Sequence, residues 1–271
     1  MPPRDEGRLE LADGGFLHYE VAGEGPWVTL LHPGLWDSRT WDAQFEAWSD
    51  RFRLLRYDFR GYGRSSRLSG SPYSHVRDLI ELLDSLEILS TALIGCSMGG
   101  GVEIDFTLEH PDRVTALVAV ASALGGFEPL EEEEDWWDER FAPVEAAVEA
   151  GDIERAEELQ LEIWAPMGTD DPAGRRIRDI AFDNIHEVTI DESAEEELEP
   201  PAAVRLGEID VPTLVLIADH DPPFSRRCGE LIAREVLDGR AVTIVADHVI
   251  NLRNPEAFDA AVVPFLAAAA V

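Results

Sequence analysis

The sequence predicts an α/β fold, a doubly wound and mostly parallel sheet with a helical cap inserted between two strands. Short apolar runs alternate with amphipathic helical stretches along most of the 271 residues, which is typical of parallel strands buried on both faces. The alternation stops between Leu124 and Arg205, where acidic helical stretches replace it. We therefore predict one α/β core formed by residues 1–123 and 206–271, with residues 124–205 as the cap.

The predicted elements follow one another in order along the chain. Two alternating segments, residues 8–12 and 16–22, flank a glycine turn at residues 13–15 and predict a β-hairpin. A helix with its cap near Ser38 or Thr40 follows the third strand. The other predicted strands are 27–31, 53–57, 91–94, 114–121, 213–218 and 241–245, of which 27–31 and 114–121 are predicted to be buried. The later predicted helices are 75–89, the stretch that follows Ser97 and ends at 109, 143–150, 153–164, 228–236 and 255–269.

Charge is distributed unevenly along the chain. There are 55 acidic and 22 basic residues, a net charge of −33, and every basic residue is arginine. Such a field repels polyanions, which argues against nucleic acid and anionic membranes as partners. Between Glu128 and Glu199 lie 26 acidic residues and five arginines. A solvated surface on the cap explains this excess. Adaptation to high salt is the alternative, although a GC-rich genome also replaces lysine by arginine.

The two cysteines, Cys96 and Cys228, lie far apart in the sequence and indicate neither a disulfide framework nor a metal knuckle. No apolar stretch predicts a signal peptide or a membrane span. We therefore expect a cytoplasmic protein that binds no metal and no cofactor. The sequence is compatible with a homodimer.

Residues 91–101 contain the motif on which the functional prediction depends. An apolar run breaks into Gly95-Cys96-Ser97-Met98-Gly99 before a helix, the pattern of a nucleophile elbow. A sharp strand-to-helix turn strains the backbone of the serine, and small residues two positions before and after it relieve the crowding. Ser97 Oγ is then exposed at the edge of the sheet as a candidate nucleophile. The alternative is a glycine-rich turn that happens to contain a serine.

A serine hydroxyl needs a base and an orienting acid to act as a nucleophile at neutral pH. Asp221 and His248 each follow a predicted strand, and the chain order Ser97, Asp221, His248 suits the elbow motif. Of the seven histidines, only His248 combines this position with this order. Asp219 and Asp247 are the rival acids, which we interpret as residues that hold loops. A metal site built from the two Asp-His pairs is another alternative, but no spaced ligand set accompanies it.

The oxyanion hole requires two backbone N–H donors. Met98 is predicted to supply one because it follows the nucleophile. The other is expected from the loop after the third strand, where Pro33 has no N–H, so Gly34 is the predicted donor and Leu35 the fallback. The predicted pocket walls are Trp36, Phe127, Trp136, Trp137 and Trp164, for which simple packing between cap and core is the alternative.

Four ordered motifs resemble the α/β-hydrolase superfamily over essentially the whole chain. They are His32-Pro33-Gly34, Asp58-x-Arg60-Gly61-x-Gly63-x-Ser65, Gly95-x-Ser97-x-Gly99, and the positions of Asp221 and His248. The resemblance implies the serine-nucleophile branch, with a cap after the sixth strand, and is greatest for enol-lactonases, carboxylesterases and cofactor-free haloperoxidases. Many relatives have His-Gly where this chain has His-Pro-Gly. Some relatives place the acid after the sixth strand, but residues 122–125 offer no carboxylate, which favours Asp221.

The residues and the resemblance together predict hydrolysis of a carboxylic ester or lactone through an acyl-enzyme. We favour a neutral small-molecule substrate with an apolar acyl part, because the acidic cap repels anions unless Arg175, Arg176 and Arg178 line the pocket. Carbon–carbon bond hydrolysis, perhydrolysis and acyl transfer use the same three side chains and stay open. A ligand receptor on the same fold is the alternative outside enzymes.

Overall fold

An eight-stranded sheet forms the centre of the protein, for which the computed structural model describes residues 4–269. The strands are β1 (Arg4–Glu10), β2 (Phe16–Ala22), β3 (Trp27–Leu31), β4 (Arg53–Tyr57), β5 (Thr91–Cys96), β6 (Val114–Val120), β7 (Thr213–Ala218) and β8 (Gly239–Ile244). Their order across the sheet is β1-β2-β4-β3-β5-β6-β7-β8. Strand β2 pairs antiparallel with β1 and β4, and the other pairs are parallel. The predicted fold class is confirmed.

Helices cover both faces of the sheet. They are α1 (Asp42–Ala47), α2 (His75–Ser85), α3 (Met98–Glu109), α4 (Glu131–Glu149), α5 (Ile153–Trp164), α6 (Pro172–Asp183), α7 (Pro223–Glu235), α8 (Ile250–Arg253) and α9 (Pro255–Ala269). In β5, Leu93 belongs to the apolar layer that contains Leu79 of α2, whereas Ile94 belongs to the layer that contains Phe258 of α9. A strand covered on both faces is apolar at every position, which explains the continuous runs. Among residues 4–269, no helix has the length and apolarity needed to cross a bilayer.

Most strand boundaries lie within two residues of the prediction, and the helix boundaries differ more. The first helical turn, Ser38–Trp41, is capped by Asp37, whose carboxylate accepts the Arg39 N–H at 2.9 Å, and not by either residue predicted. Helix α2 ends at Ser85 instead of residue 89. Strand β1 begins at Arg4 because its backbone pairs with β2 over its whole length, although its sequence there is polar.

Helix α4 is the largest difference, since it begins at Glu131 and not at Pro143. The four glutamates of its first turn interact favourably with the positive end of the helix dipole. The Glu133 carboxylate also accepts the backbone N–H of Leu130 at 2.8 Å, which caps the helix. Pro143 therefore lies inside α4, whereas the sequence predicted that the helix begins at this residue.

Residues 124–205, which we call the inserted segment, lie between β6 and β7 and contain α4, α5 and α6. Polar contacts attach both ends of this helical group to the core. Arg227 pairs with Glu133 at 2.6 Å, Arg39 pairs with Asp183 at 2.7 Å, and Asn184 Nδ2 donates to Asp37 Oδ2 at 2.8 Å. These contacts join α4 to α7 and the end of α6 to the loop after β3. The inserted segment consequently extends across the carboxyl ends of the parallel strands.

Glu157 of α5 is buried in this segment without a partner. Its side chain is fully buried, and within residues 4–269 neither carboxylate oxygen has a hydrogen-bond partner. Desolvation raises the pKa of Glu157 to about 7. Glu187, in the helical turn after α6, is half-buried, and desolvation together with the charge of Glu157 raises its pKa to about 8. The packing of α5 therefore favours a neutral carboxyl group.

We predict that Glu157→Gln weakens the pH dependence of stability. Between about pH 4.5 and about pH 7 the unfolded carboxyl ionises while the folded one stays protonated, so the wild type loses stability as the pH rises through this window. The amide does not ionise. From about pH 4 to about pH 8, the wild type should therefore lose about 3 kcal/mol more of its free energy of unfolding than the variant. Urea unfolding at both pH values measures the difference, and identical pH dependence would contradict the interpretation.

Candidate active site

Ser97 occupies the turn between β5 and α3, and its backbone is strained. Its φ of 51° and ψ of −114° lie outside the conformations that non-glycine residues favour. A Cβ atom on Gly95 would overlap the carbonyl group of Gly99, and one on Gly99 would lie 2.6 Å from the carbonyl oxygen of Leu31. Only glycine fits at these two positions, which is the physical reason for the spacing of the motif.

Asp221 and His248 form a buried pair beside this turn. They follow β7 and β8, which are adjacent parallel strands, so their carboxyl ends lie side by side. His248 Nδ1 lies 2.8 Å from Asp221 Oδ1 and 3.0 Å from Oδ2. Burial raises the pKa of the Asp221 carboxyl group, and the nearby imidazole opposes that shift. With Nδ1 donating to the carboxylate, Nε2 is the ring nitrogen left for other partners.

The two rival acids are engaged elsewhere. Asp219 accepts from the His220 ring at 2.6 Å and from the backbone N–H of Ala246 at 3.1 Å. Asp247 is fully buried and pairs with Arg253 at 2.7 Å. Both therefore hold the loops after β7 and β8, as their positions in the sequence suggested.

Ser97 and His248 line one cavity of about 670 Å³ beneath the inserted segment. Within residues 4–269, no hydrogen bond joins the Ser97 hydroxyl to the His248 imidazole. Catalytic hydrogen bonds are often long in ligand-free enzymes and tighten when substrate binds. The cavity thus brings the candidate nucleophile and the candidate base to the same space.

A larger cavity of about 770 Å³ lies away from Ser97, near β2 and β4. Its charged side chains pair with one another, for example Arg56 with Glu20 at 2.6 Å and Arg39 with Asp37 at 2.7 Å. We take the smaller cavity as the candidate active site because it contains both Ser97 and His248.

Aromatic rings form much of the wall of the candidate active site. Three of the predicted wall residues, Phe127, Trp137 and Trp164, line it. The ring centre of Trp164 lies 4.5 Å from that of His248. Sequence reasoning missed Phe224 and Cys228 of α7, which also line the cavity. The available signal was the position of α7, which begins two residues after Asp221.

Trp36 and Trp136 do not line this cavity, which corrects two of the predicted wall residues. Trp36 is 1% exposed, and its indole N–H donates to the carbonyl oxygen of Ile177 at 2.9 Å. It is therefore a packing residue between the core and the inserted segment, as the alternative interpretation held. Trp136 lies behind the wall residue Phe224, with ring centres 6.1 Å apart, and the guanidinium of Arg140 lies 4.3 Å from its ring centre.

The loop after β3 lies directly against the elbow, since the carbonyl groups of Leu31 and His32 border Gly99. His32 fixes this loop: its Nδ1 donates to the Pro33 carbonyl at 2.8 Å, and its Nε2 accepts the Phe59 N–H at 3.0 Å. Desolvation lowers the pKa of His32, which favours this neutral form.

The predicted oxyanion donors, Met98 and Gly34, are close in sequence to the residues that bring the loop after β3 against the elbow. Met98 is the first residue of α3, so its N–H has no acceptor within the helix. Gly34 lies in the loop after β3 beside Leu35, which has a φ of 65°. The oxyanion role of Met98 and of Gly34 or Leu35 stays a prediction.

The charged residues of the cavity are acidic. Glu133, Glu134 and Asp138 of α4 line it, and among residues 4–269 no arginine does. Arg175, Arg176 and Arg178 contact Asp170, Asp42 and Phe182 respectively. The arrangement thus disfavours an anionic ligand.

Comparison with known proteins agrees with the fold. The family model described as the alpha/beta hydrolase fold matches residues 26–149. A hydrolase from Pseudomonas aeruginosa PA01 is 30% identical, covers 97% of this chain and 98% of its own, and superposes with a TM-score of 0.76. The enol-lactonase from Burkholderia xenovorans LB400 is 26% identical over 94% of this chain and 98% of its own, with a TM-score of 0.72.

Several curated relatives match only a shorter region. A protein of Caulobacter sp. (strain K31) named as a carbamate hydrolase is 37% identical over 112 residues, which is 38% of this chain and 41% of that relative. This chain thus matches about two fifths of the length of that relative.

We predict that Gly95→Ala in β5 destabilises the fold, whereas Gly101→Ala in α3 does not. The first methyl group would overlap the Gly99 carbonyl, while the second would meet no heavy atom closer than 3.6 Å. Overpacking against backbone should lower the free energy of unfolding by about 2 kcal/mol or more, and the helical alanine should raise it by up to about 1 kcal/mol. Urea unfolding of both variants measures this. Equal stability of the two variants would show that the turn is not as tight as described.

Proposed function

The chain belongs to the α/β-hydrolase superfamily, and from this premise we propose that it is a serine hydrolase that cleaves a carboxylic ester or lactone. The observation that carries the proposal is the buried hydrogen bond between Asp221 and His248, beside the cavity that Ser97 also lines. An enol-lactonase among its structural neighbours supports the same class of reaction.

In the proposed mechanism, Ser97 Oγ attacks the carbonyl carbon while His248 Nε2 accepts the hydroxyl proton. Asp221 keeps Nδ1 protonated and stabilises the imidazolium that forms. The N–H groups of Met98 and Gly34 donate to the developing oxyanion. His248 then protonates the leaving alcohol, and an acyl-enzyme remains on Ser97. Water, deprotonated by His248, releases the acid and restores the hydroxyl group.

The lining of the cavity supports a substrate without a carboxylate. Its aromatic walls suit an apolar acyl or alcohol part, and burial of such a group on rings favours binding. Glu134 and Asp138 would repel a negatively charged group.

We predict that Ser97→Ala lowers kcat by roughly 10⁴-fold or more, because the acyl-enzyme cannot form. The kcat of the wild type and of the variant is measured on a panel of p-nitrophenyl esters and lactones of varied length and charge. Ser85→Ala, on α2 and remote from the cavity, is the matched control and should retain wild-type rates. Retention of most activity by the Ser97 variant would refute the proposed nucleophile.

We also predict a large difference between two neighbouring acids. Asp221→Asn removes the carboxylate that orients His248 and should lower kcat by about 10³-fold to 10⁴-fold. Asp219→Asn makes the same chemical change two residues away, but its side chain contacts His220 and Ala246, so its kcat should stay within about tenfold of the wild type. Steady-state kinetics on the best ester of the panel compares them. Equal losses in the two variants would show that Asp221 has no special role.

A further inference from the structure

Two carboxylates without ion-pair partners face the candidate active site. Glu134 and Asp138 lie one turn apart on α4, on either side of Trp137, and all three line the cavity. Within residues 4–269, neither carboxylate forms an ion pair or a side-chain hydrogen bond. Both residues are exposed to solvent where they line the cavity, and no ion pair neutralises the charges that they present to a ligand.

The third acidic residue of the cavity is already neutralised. Glu133 binds Arg227 through two nitrogens, at 2.6 and 2.9 Å, and also accepts the N–H of Leu130. Arg227 is committed further, because its guanidinium lies 4.2 Å from the ring centre of Phe127. This ion pair adds no net charge to the cavity. The excess that a ligand meets comes from Glu134 and Asp138.

Three aromatic rings of the same cavity stand nearly perpendicular to one another. Trp137 and Phe224 have ring centres 5.1 Å apart at 74°, Trp137 and Trp164 lie 6.0 Å apart at 65°, and Trp164 and Phe224 lie 6.3 Å apart at 82°. All three rings line the cavity and pack edge to face on one another, and we call them the aromatic cage. Aromatic faces attract cations through their quadrupoles. Trp164 also contacts the His248 ring, so this cage adjoins the candidate base.

We infer that the cavity selects esters that carry a positive charge, a quaternary ammonium or protonated amine on the acyl or alcohol part, held by the aromatic cage and by Glu134 and Asp138. This inference rests on the proposed esterase function and specifies its substrate class. The two carboxylates favour a cation over an isosteric neutral group, and the rings replace part of its hydration shell.

Matched pairs of esters test the inference. One pair is butyrylcholine and the ester in which a tert-butyl group replaces its trimethylammonium group, which places the charge on the alcohol. The other is the p-nitrophenyl ester of γ-butyrobetaine and its tert-butyl isostere, which places the charge on the acyl part. Each kcat/KM is divided by the rate constant for alkaline hydrolysis of the same ester. The wild type should prefer the cationic member of at least one pair by about tenfold, and about 1 M NaCl should reduce that preference.

Two charge-matched double variants identify the source of the preference. Glu134→Gln with Asp138→Asn should reduce the cation-to-neutral ratio to within about twofold of one. Glu131→Gln with Asp135→Asn removes the same charge from the same helix at exposed positions outside the cavity, and should keep the wild-type ratio.

The outcomes separate the two proposals. If the wild type hydrolyses the neutral esters and shows no cation preference, or if both double variants change the ratio equally, the inference is overturned and the proposed function stands. If the wild type hydrolyses no ester faster than Ser97→Ala does, both are overturned.

Discussion

The close approach of the chain to itself at Ser97 is the constraint on which the rest of the site depends. Helix α3 can begin directly after β5 only because no side chain occupies positions 95 and 99, where a Cβ atom would meet backbone. The Ser97 N–H donates to the carbonyl oxygen of Val120 at 3.0 Å, and the Ala123 N–H donates to the Ser97 carbonyl at 3.0 Å. The end of β6 and the loop after it therefore hold the strained residue. This strain keeps the hydroxyl at the edge of the sheet, where the cavity begins.

A second consequence of the fold is that the acidic residues near the site have separate tasks. Asp221 orients His248, and Asp219 and Asp247 hold the adjacent loops through His220 and Arg253. In the inserted segment, Glu133 anchors α4 to α7 through Arg227. The excess of acid in residues 124–205 thus includes structural contacts as well as solvated surface, and Glu134 and Asp138 line the candidate active site.

The sequence predicted the strands and the pairing of Asp221 with His248 better than the cavity walls. Strands β3 and β7 have the predicted bounds because a strand buried on both faces is a largely apolar run. Asp221 follows β7, and His248 follows β8, an edge strand that is mostly exposed. The walls depend on the path of the inserted segment, which local patterns do not specify. Trp36 and Trp137 are the same residue type, yet they differ in their surroundings. The indole N–H of Trp36 donates to the carbonyl oxygen of Ile177, whereas Trp137 lines the cavity. The first turns of α4 are almost entirely acidic, so the sequence shows no apolar face there that predicts a helix. Glu134 and Asp138 are therefore not predicted as cavity residues.

The central claim is that Ser97 is a nucleophile activated by the Asp221–His248 pair. Reaction with a fluorophosphonate, followed by mass spectrometry of the labelled peptides, tests it most directly, because this reagent phosphonylates an activated serine hydroxyl and needs no knowledge of the natural substrate. The account predicts one adduct, on Ser97, and much slower labelling when Asp221 is replaced by asparagine. An unlabelled protein, or an adduct on another residue that forms equally fast in both proteins, would contradict it.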